Sequence, residues 1–240
     1  MIVKNCSVKS GISAIHLIGY FTNDILIEKC IISETMTGLL SVAMTTLFEY
    51  VIKDCVIITI NDVSKGTGIK NNYSLFRSQG NIIIGKDIGY SAIHSEGNYT
   101  SNILNNFGTG YDNVLFKLYH VPGSTNNFVN NVSTYFQHIN TTVSRCIILS
   151  YGNLWNVKNN IIMNTKGIKP ALYCEVDTLK TDYNIFWKNG LNGDNRVKFG
   201  ENDLFVDPML INDTVAVVNG SFDYHLQKYS PGIDAGDPSI

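Results

Sequence analysis

A repeat of about 25 residues is the feature of this sequence that most limits its fold. Short apolar blocks begin at residues 3, 27, 52, 84, 103, 128, 157 and 179, so their starts lie 24, 25, 32, 19, 25, 29 and 22 residues apart. A period of this length is typical of solenoids, in which each repeat forms one coil that stacks on its neighbour. Propeller blades are longer, and leucine-rich repeats need a leucine frame that is absent here. The period predicts a solenoid of roughly eight coils.

One position of the repeat holds a small polar residue or a cysteine in every block. In stacked coils such residues lie one above another at roughly 4.8 Å, where their side chains hydrogen-bond along the column and satisfy the backbone of a tight turn. The pattern therefore predicts a structural ladder along one edge of the molecule. Its predicted members are Cys6, Cys30, Cys55, Asp87, Asn106, Asn131, Asn160 and Asp182.

The composition favours strands and turns over helices. The chain has 28 Asn among its 240 residues, and Asn is a poor helix former that is common in turns. Apolar side chains alternate with other residues in later repeats, for example over residues 168–175, as they do in half-buried strands. Because the blocks keep a common register, we predict an all-β fold whose strands stack in parallel.

The C-terminal third carries a recognisable pattern. It contains Asp182-Tyr-Asn-Ile-Phe186, then Asp207-Pro208, and then Ser230-Pro-Gly-Ile-Asp-Ala-Gly-Asp-Pro238. This ending resembles that of the pectate-lyase-like superfamily of right-handed parallel β-helix proteins. The resemblance implies a right-handed β-helix over residues 1–200, with a C-terminal coil and capping tail of the same domain over residues 201–240.

The charge and hydropathy of the chain limit its partners and its location. The net charge is −2 and there is no run of Lys or Arg, so we predict no nucleic-acid partner. No stretch approaches 18 apolar residues, which argues against membrane insertion. Because Val3 belongs to a coil already under way, we expect a piece of a longer exported or cell-surface protein, although no signal peptide is visible.

The five cysteines are predicted to be thiols. Cys6, Cys30 and Cys55 occupy equivalent ladder positions, and Cys174 falls on an inward column, so burial as single small side chains is expected. There is no Cys-x-x-Cys pair and no pair of His at ligand spacing, so no metal site is predicted.

Function on a solenoid must come from outward side chains and long turns, because the coil interior is packed. Tyr119 and Tyr173 have the same offset in repeats two coils apart, and such aromatic rings suit the apolar faces of sugars. The polar segment 61–80 is a second candidate wall for a groove. The predicted substrate-binding residues on three neighbouring coils are Lys117, Tyr119, His120, His138, Arg145, Tyr173 and Glu175.

These residues predict a protein that binds an acidic or neutral polysaccharide. The resemblance to pectate lyase implies a cationic base, for which Lys117 and Arg145 are the candidates, and Ca²⁺ as the cofactor of a lyase. Polygalacturonase-like hydrolysis is disfavoured because the chain has no Asp-Asp pair. The alternative is a noncatalytic β-solenoid that serves as an adhesin, a stalk or a phage-type spike segment, and the sequence leaves both open.

Overall fold

A computed structural model describes residues 1–19, 24–43, 49–59, 67–72, 75–88, 91–98, 101–104, 107–111, 116–120, 125–135, 147–150, 154–165, 170–175, 178–212 and 223–240. Every regular element in these ranges is a strand. In chain order the strands are β1 (Ile2–Lys4), β2 (Ser7–Gly19), β3 (Ile25–Glu28), β4 (Ile31–Ala43), β5 (Glu49–Lys53), β6 (Val56–Thr59), β7 (Thr67–Asn72), β8 (Leu75–Gln79), β9 (Ile82–Ile88), β10 (Ser91–Asn98), β11 (Ser101–Leu104), β12 (Phe107–Tyr111), β13 (Phe116–His120), β14 (Thr125–Val129), β15 (Val132–Tyr135), β16 (Ile147–Ser150), β17 (Leu154–Lys158), β18 (Ile161–Met163), β19 (Pro170–Cys174), β20 (Leu179–Asp182), β21 (Ile185–Trp187), β22 (Leu191–Gly193), β23 (Val197–Lys198), β24 (Leu210–Asn212) and β25 (Asp223–Leu226).

The strands form three long faces. The first face is a nine-stranded parallel sheet in the order β1-β3-β5-β8-β11-β14-β17-β20-β23. The other two faces belong to one sheet that divides at β4, whose first half pairs with β6 and whose second half pairs with β7. The second face runs from β6 to β21 and the third from β7 to β22. Each repeat adds a strand to each face, so the predicted parallel β-solenoid is confirmed.

A two-residue turn joins the first face to the second in each described coil. Its first residue has a positive φ, which ordinary side chains adopt only at a cost and which Asn, Asp and Gly tolerate best. At Gly80 the φ is 65°, and a Cβ there would overlap Asp54 Oδ1, so any other residue would have to displace that carboxylate. We call these positions the turn column: Asn5, Lys29, Asp54, Gly80, Asn130, Asn159 and Tyr183.

The residue after each turn-column position forms the predicted ladder. Asn160 N donates to Asn184 Oδ1 at 3.0 Å in the next coil, while Asn160 Nδ2 donates to Phe128 O at 2.8 Å in the previous coil. Asn131 repeats the same pattern one coil earlier, because its N donates to Asn160 Oδ1 at 2.9 Å. The members that the structure describes are Cys6, Cys30, Cys55, Asn81, Asn131, Asn160 and Asn184, and Asn106 lies outside the described residues.

Two predicted ladder members are wrong. Asn81 rather than Asp87 accepts the hydrogen bond from Cys55 N, at 2.9 Å. Asp182 pairs in register with Lys158, and Asn184 takes the ladder position. Both errors shift the repeat by an even number of residues, six and two. Side chains alternate with period two along a strand, so an even shift leaves the pattern of inward and outward residues unchanged. The alternation therefore cannot reveal such an error.

The ladder cysteines make the same kinds of hydrogen bond as the ladder asparagines. Cys30 N donates to Cys55 Sγ at 3.5 Å, and Cys55 Sγ donates to Ile27 O at 3.8 Å. Burial raises the pKa of Cys55 to about 11, which keeps the thiol protonated and able to donate. Cys6, Cys30, Cys55 and Cys174 are free thiols, as predicted, and Cys146 lies outside the described residues.

The core fills the space between the three faces. Ile32, Ile57 and Ile83 are fully buried and stack in register on successive coils. The stack ends at Phe186, whose ring packs on those of Phe199 and Phe205 with centroids 5.1 Å and 5.7 Å away. These two half-exposed rings cover the end of the hydrophobic core.

The C-terminal tail lies against the turn column near that end. Asp237 N donates to Asn159 Oδ1 at 2.7 Å, and the Asp237 carboxylate forms an ion pair with Lys158 at 2.7 Å. The hydrogen bond from Lys158, followed by those from Ser239, lowers the pKa of Asp237 to about 2. The ion pair between Lys158 and the buried Asp237 carboxylate therefore attaches the C-terminal tail to the coils.

This ion pair predicts a loss of stability in acid. A lowered folded-state pKa stabilises the fold above the unfolded carboxyl value of about 4, and that contribution is lost as the pH falls from about 4 to about 2. Asp237→Asn should lower the free energy of unfolding near neutral pH, because the variant cannot form the charged pair with Lys158. Urea unfolding at a series of pH values checks this: the variant should lose less stability than the parent across the acid range, and parallel curves would contradict the assignment.

Candidate functional site

The predicted site residues fall on the third face where the structure describes them. Lys117, Tyr119 and His120 lie on β13, Tyr173 lies on β19, and Glu175 directly follows β19. Tyr173 and Glu175 are partly exposed. His138 and Arg145 lie outside the described residues, so their predicted roles stay predictions.

The register corrects one predicted pairing on that face. Lys117 pairs with Ile148, and Ile148 pairs with Tyr173, so Lys117 and Tyr173 share a register column. Tyr119 pairs with Ser150 and does not share a column with Tyr173. Counting residues from the start of each repeat gave the wrong offset because the connections between the second and third faces differ in length from coil to coil.

Extending the same column brings further polar residues into line. His94 pairs with Lys70 on one side and with Lys117 on the other. Three residues that carry or can acquire positive charge therefore occupy one register position on three successive strands, roughly 4.8 Å apart. The register column of Lys117 thus extends over two further strands of the third face.

A groove with described side chains lies on the first face near its C-terminal end. It has a volume of about 640 Å³ and runs across the neighbouring strands β17, β20 and β23. Alternate residues of each strand face outward, so two outward columns form its walls. We call this the C-terminal groove, and its walls contain Asn156, Lys180 and Lys198 on one side and Lys158, Asp182 and Gly200 on the other.

The first wall changes from amides to cations along the solenoid. Asn156 Nδ2 donates to Asn127 Oδ1 at 3.2 Å, so these two amides form a short outer ladder. The next position in register is Lys180, which pairs with Lys198 on β23. Both lysines are exposed. Each coil therefore contributes one residue to this wall. The first two are amides, and the next two are lysines.

Both charged residues of the second wall have partners. Asp182 Oδ1 accepts from Tyr183 N at 3.2 Å and from Asn202 N at 3.0 Å. A Cβ on Gly200 would lie 2.3 Å from Asp182 Oδ1, so this carboxylate occupies the space that a side chain at residue 200 would need. Lys158 is already paired with Asp237.

The charges of the groove leave an excess of positive charge. Lys158 is neutralised by Asp237, and the two remaining lysines outnumber the one remaining carboxylate, Asp182, which is hydrogen-bonded to the amide donors of Asn202. Among the described residues neither Lys180 nor Lys198 has an ion-pair partner. Like charges on directly opposed residues of neighbouring strands repel each other. An anionic group bound between the two lysines would remove that repulsion.

The sequence contained a signal for this groove that the repeat analysis did not use. Leu179-Lys-Thr181 and Val197-Lys-Phe199 have the same alternation of an inward residue, a lysine and an inward residue. Continuing the repeat past Asp182 would have placed Lys198 beside Lys180. The last repeat block recognised in the sequence begins at Leu179, so Val197–Lys198, the last strand of the first face, is not among the predicted blocks.

Two other kinds of feature are absent from the described part of the chain. No group of three or more His, Cys, Asp or Glu residues there is arranged to hold a metal ion. The same residues include no helix that is long and apolar enough to span a membrane.

Comparison with known proteins gives no assignment. No protein-family model matches the chain, and neither a curated protein nor a solved structure matches it.

Proposed function

We propose that this protein binds an acidic polysaccharide in the C-terminal groove. The observation that carries the proposal is the register pairing of Lys180 with Lys198, two exposed lysines without an ion-pair partner among the described residues, beside a groove of about 640 Å³. A carboxylate or sulfate group of a sugar supplies the anion that these two cations lack.

The repeat of the solenoid matches the repeat of a glycan. Neighbouring strands are roughly 4.8 Å apart, which is close to the length of one sugar unit in an extended chain. A polysaccharide aligned with the solenoid axis would therefore meet Asn127, Asn156, Lys180 and Lys198 with successive units. Amides suit the hydroxyl groups of sugars, and lysines suit their acidic substituents.

The resemblance of the C-terminal ending to a known superfamily supports the proposal of a polysaccharide ligand. The Ser230-Pro-Gly-Ile-Asp-Ala-Gly236 ending resembles that of pectate-lyase-like proteins, and the solenoid fold agrees with that resemblance. On this basis we also propose a right-handed β-helix in an exported or cell-surface protein. Lyase chemistry, with Lys117 or Arg145 as base and Ca²⁺ as cofactor, is a further proposal that the binding proposal does not require.

Replacing both groove lysines tests the binding proposal. The double variant Lys180→Ala/Lys198→Ala should bind acidic oligosaccharides at least about tenfold more weakly than the parent, because two charge-assisted contacts are lost. Its melting temperature should be nearly unchanged, since both side chains are exposed. Calorimetric titration with uronate-containing and neutral oligosaccharides measures both the affinity and the dependence on ligand charge.

A matched control removes two lysines outside the groove. Lys188→Ala/Lys228→Ala lowers the net charge equally and should leave binding unchanged, because both residues lie away from the groove walls. Equal loss in both double variants would indicate nonspecific attraction and would contradict the groove. Loss of binding only after replacing Lys117 or Tyr173 would move the ligand to the third face.

The assay also separates the two classes of function. Incubation with the same oligosaccharides, followed by absorbance of unsaturated products and by counting reducing ends, detects a lyase or a hydrolase. Binding without product favours a noncatalytic surface protein. Failure of the parent protein to bind any acidic or neutral glycan would favour the stalk or spike alternative.

A further inference from the structure

One register column of the second face consists of apolar residues throughout. Ile31 pairs in register with Val56, and Val56 pairs with Ile82 on the next coil. The column continues through every strand of this face to the C-terminal end. We call it the apolar stripe, and it consists of Ile31, Val56, Ile82, Phe107, Val132, Ile161 and Ile185.

The stripe is covered at one end and open at the other. Ile185 is only 7% exposed, whereas Ile31 is 53% exposed and Val56 is partly exposed. The difference arises from the C-terminal tail, since a Cβ on Gly232 would lie 2.8 Å from Ile185 Cδ1. The same molecule therefore shows that this surface takes an apolar cover.

The tail covers the turn column together with the stripe. Asp237 N donates to Asn159 Oδ1, a turn-column side chain that lies one position before the ladder residue Asn160. Near the other end the corresponding turn-column residues are Lys29 and Asp54, both exposed. The uncovered surface is therefore the continuation of an interface that already exists, and it has charged groups of opposite sign along its rim.

We propose that a second copy of this chain covers the open end of the apolar stripe, in an antiparallel dimer with a two-fold axis between the coils of Ile31 and Val56. That axis places Ile31 of each copy against Val56 of the other. It also places Lys29 of each copy opposite Asp54 of the other, because both residues lie on the same side of the stripe. The two-fold rotation thus forms two apolar contacts and two contacts between opposite charges.

The constant step of the solenoid makes the two surfaces compatible. Both stripes advance by one strand spacing per coil, so ridges and gaps match over several coils once one pair is in register. A contact between identical patches is self-complementary under two-fold symmetry and closes after two copies. Apolar residues at its centre and charges at its rim are the usual composition of such an interface.

Sedimentation velocity of the parent protein over a wide range of concentration tests the association. The parent should show a monomer–dimer equilibrium, and Val56→Lys should shift it to monomer because a charge is then buried at the centre of the contact. Lys29→Asp and Asp54→Lys should each weaken the dimer about tenfold, since each places like charges opposite one another twice. The double exchange Lys29→Asp/Asp54→Lys should restore association to near the parent value.

The exchange is conformationally mild and has a matched control. Lys29 and Asp54 both have a φ near 55°, so each site receives a residue type that the other already holds in that conformation. Lys188→Asp, at a φ of 51° on another turn, should leave the dimer unchanged. Monomeric parent protein at every concentration would overturn the proposal. Association that Val56→Lys leaves unaltered would do the same, as would a double exchange that fails to restore it.

Discussion

Replacement of Asn160 with alanine is expected to lower the free energy of unfolding by about 3 kcal/mol, because it leaves buried backbone groups without partners. The Asn160 side chain accepts from Asn131 N at 2.9 Å and donates to Phe128 O at 2.8 Å. Both bonds connect different coils and are buried. Water does not replace them in the folded state, so the full desolvation penalty remains.

Chemical unfolding of the purified protein measures this effect, with Asn156→Ala as the control. Asn156 lies on β17 in the same coil as Asn160. It is only partly buried, and its amide donates a hydrogen bond to Asn127 on the outer surface. Its replacement should cost less than about 1 kcal/mol. Equal losses in the two variants would show that the inner ladder has no special role in stability.

The ladder also shows how far the sequence determines this fold. The predicted positions of Cys6, Cys30 and Cys55 are correct because the spacing of these coils is regular and each cysteine lies three residues after a branched apolar residue. The errors at Asp87 and Asp182 arose where a coil carries a longer connection or where the turn residue is not asparagine. Gly80 and Tyr183 hold the positive φ in those two coils, so the Asn-Asn signal is missing there.

The site was less predictable than the fold for a related physical reason. Inside the solenoid, packing fixes the register of every strand, and the sequence records it as repeated apolar residues. Outward residues have no such constraint, and their alignment depends on connections whose length varies. Lys117 and Tyr173 therefore share a column that offset counting assigned to Tyr119.

The hydrogen-bonded ladder ends at Asp203, which accepts from its last asparagine, Asn184. Asp203 is 6% exposed, and its Oδ1 accepts from Asn184 N at 2.8 Å and from Asn184 Nδ2 at 2.9 Å. Its Oδ2 accepts from Thr181 Oγ1 at 2.6 Å and from Gly200 N at 2.9 Å. A carboxylate, which only accepts, is suited to terminate a column whose free groups are all donors.

Asp203→Ala should therefore lower the free energy of unfolding by about 4 kcal/mol, since four donors lose their acceptor in a site that water does not reach freely. Asp203→Asn should lose about half as much, because its amide oxygen retains one pair of donors while its NH₂ group faces the other. Urea unfolding near neutral pH measures both, and Glu201→Ala, an exposed acidic residue in the same turn, should remain within about 0.5 kcal/mol of the parent. If Asp203→Asn matched the parent, charge and acceptor number would be irrelevant at this position, and the end of the ladder would depend on shape alone. The predicted order of stability, parent above Asp203→Asn above Asp203→Ala, follows only if the carboxylate terminates the ladder through its four accepted hydrogen bonds.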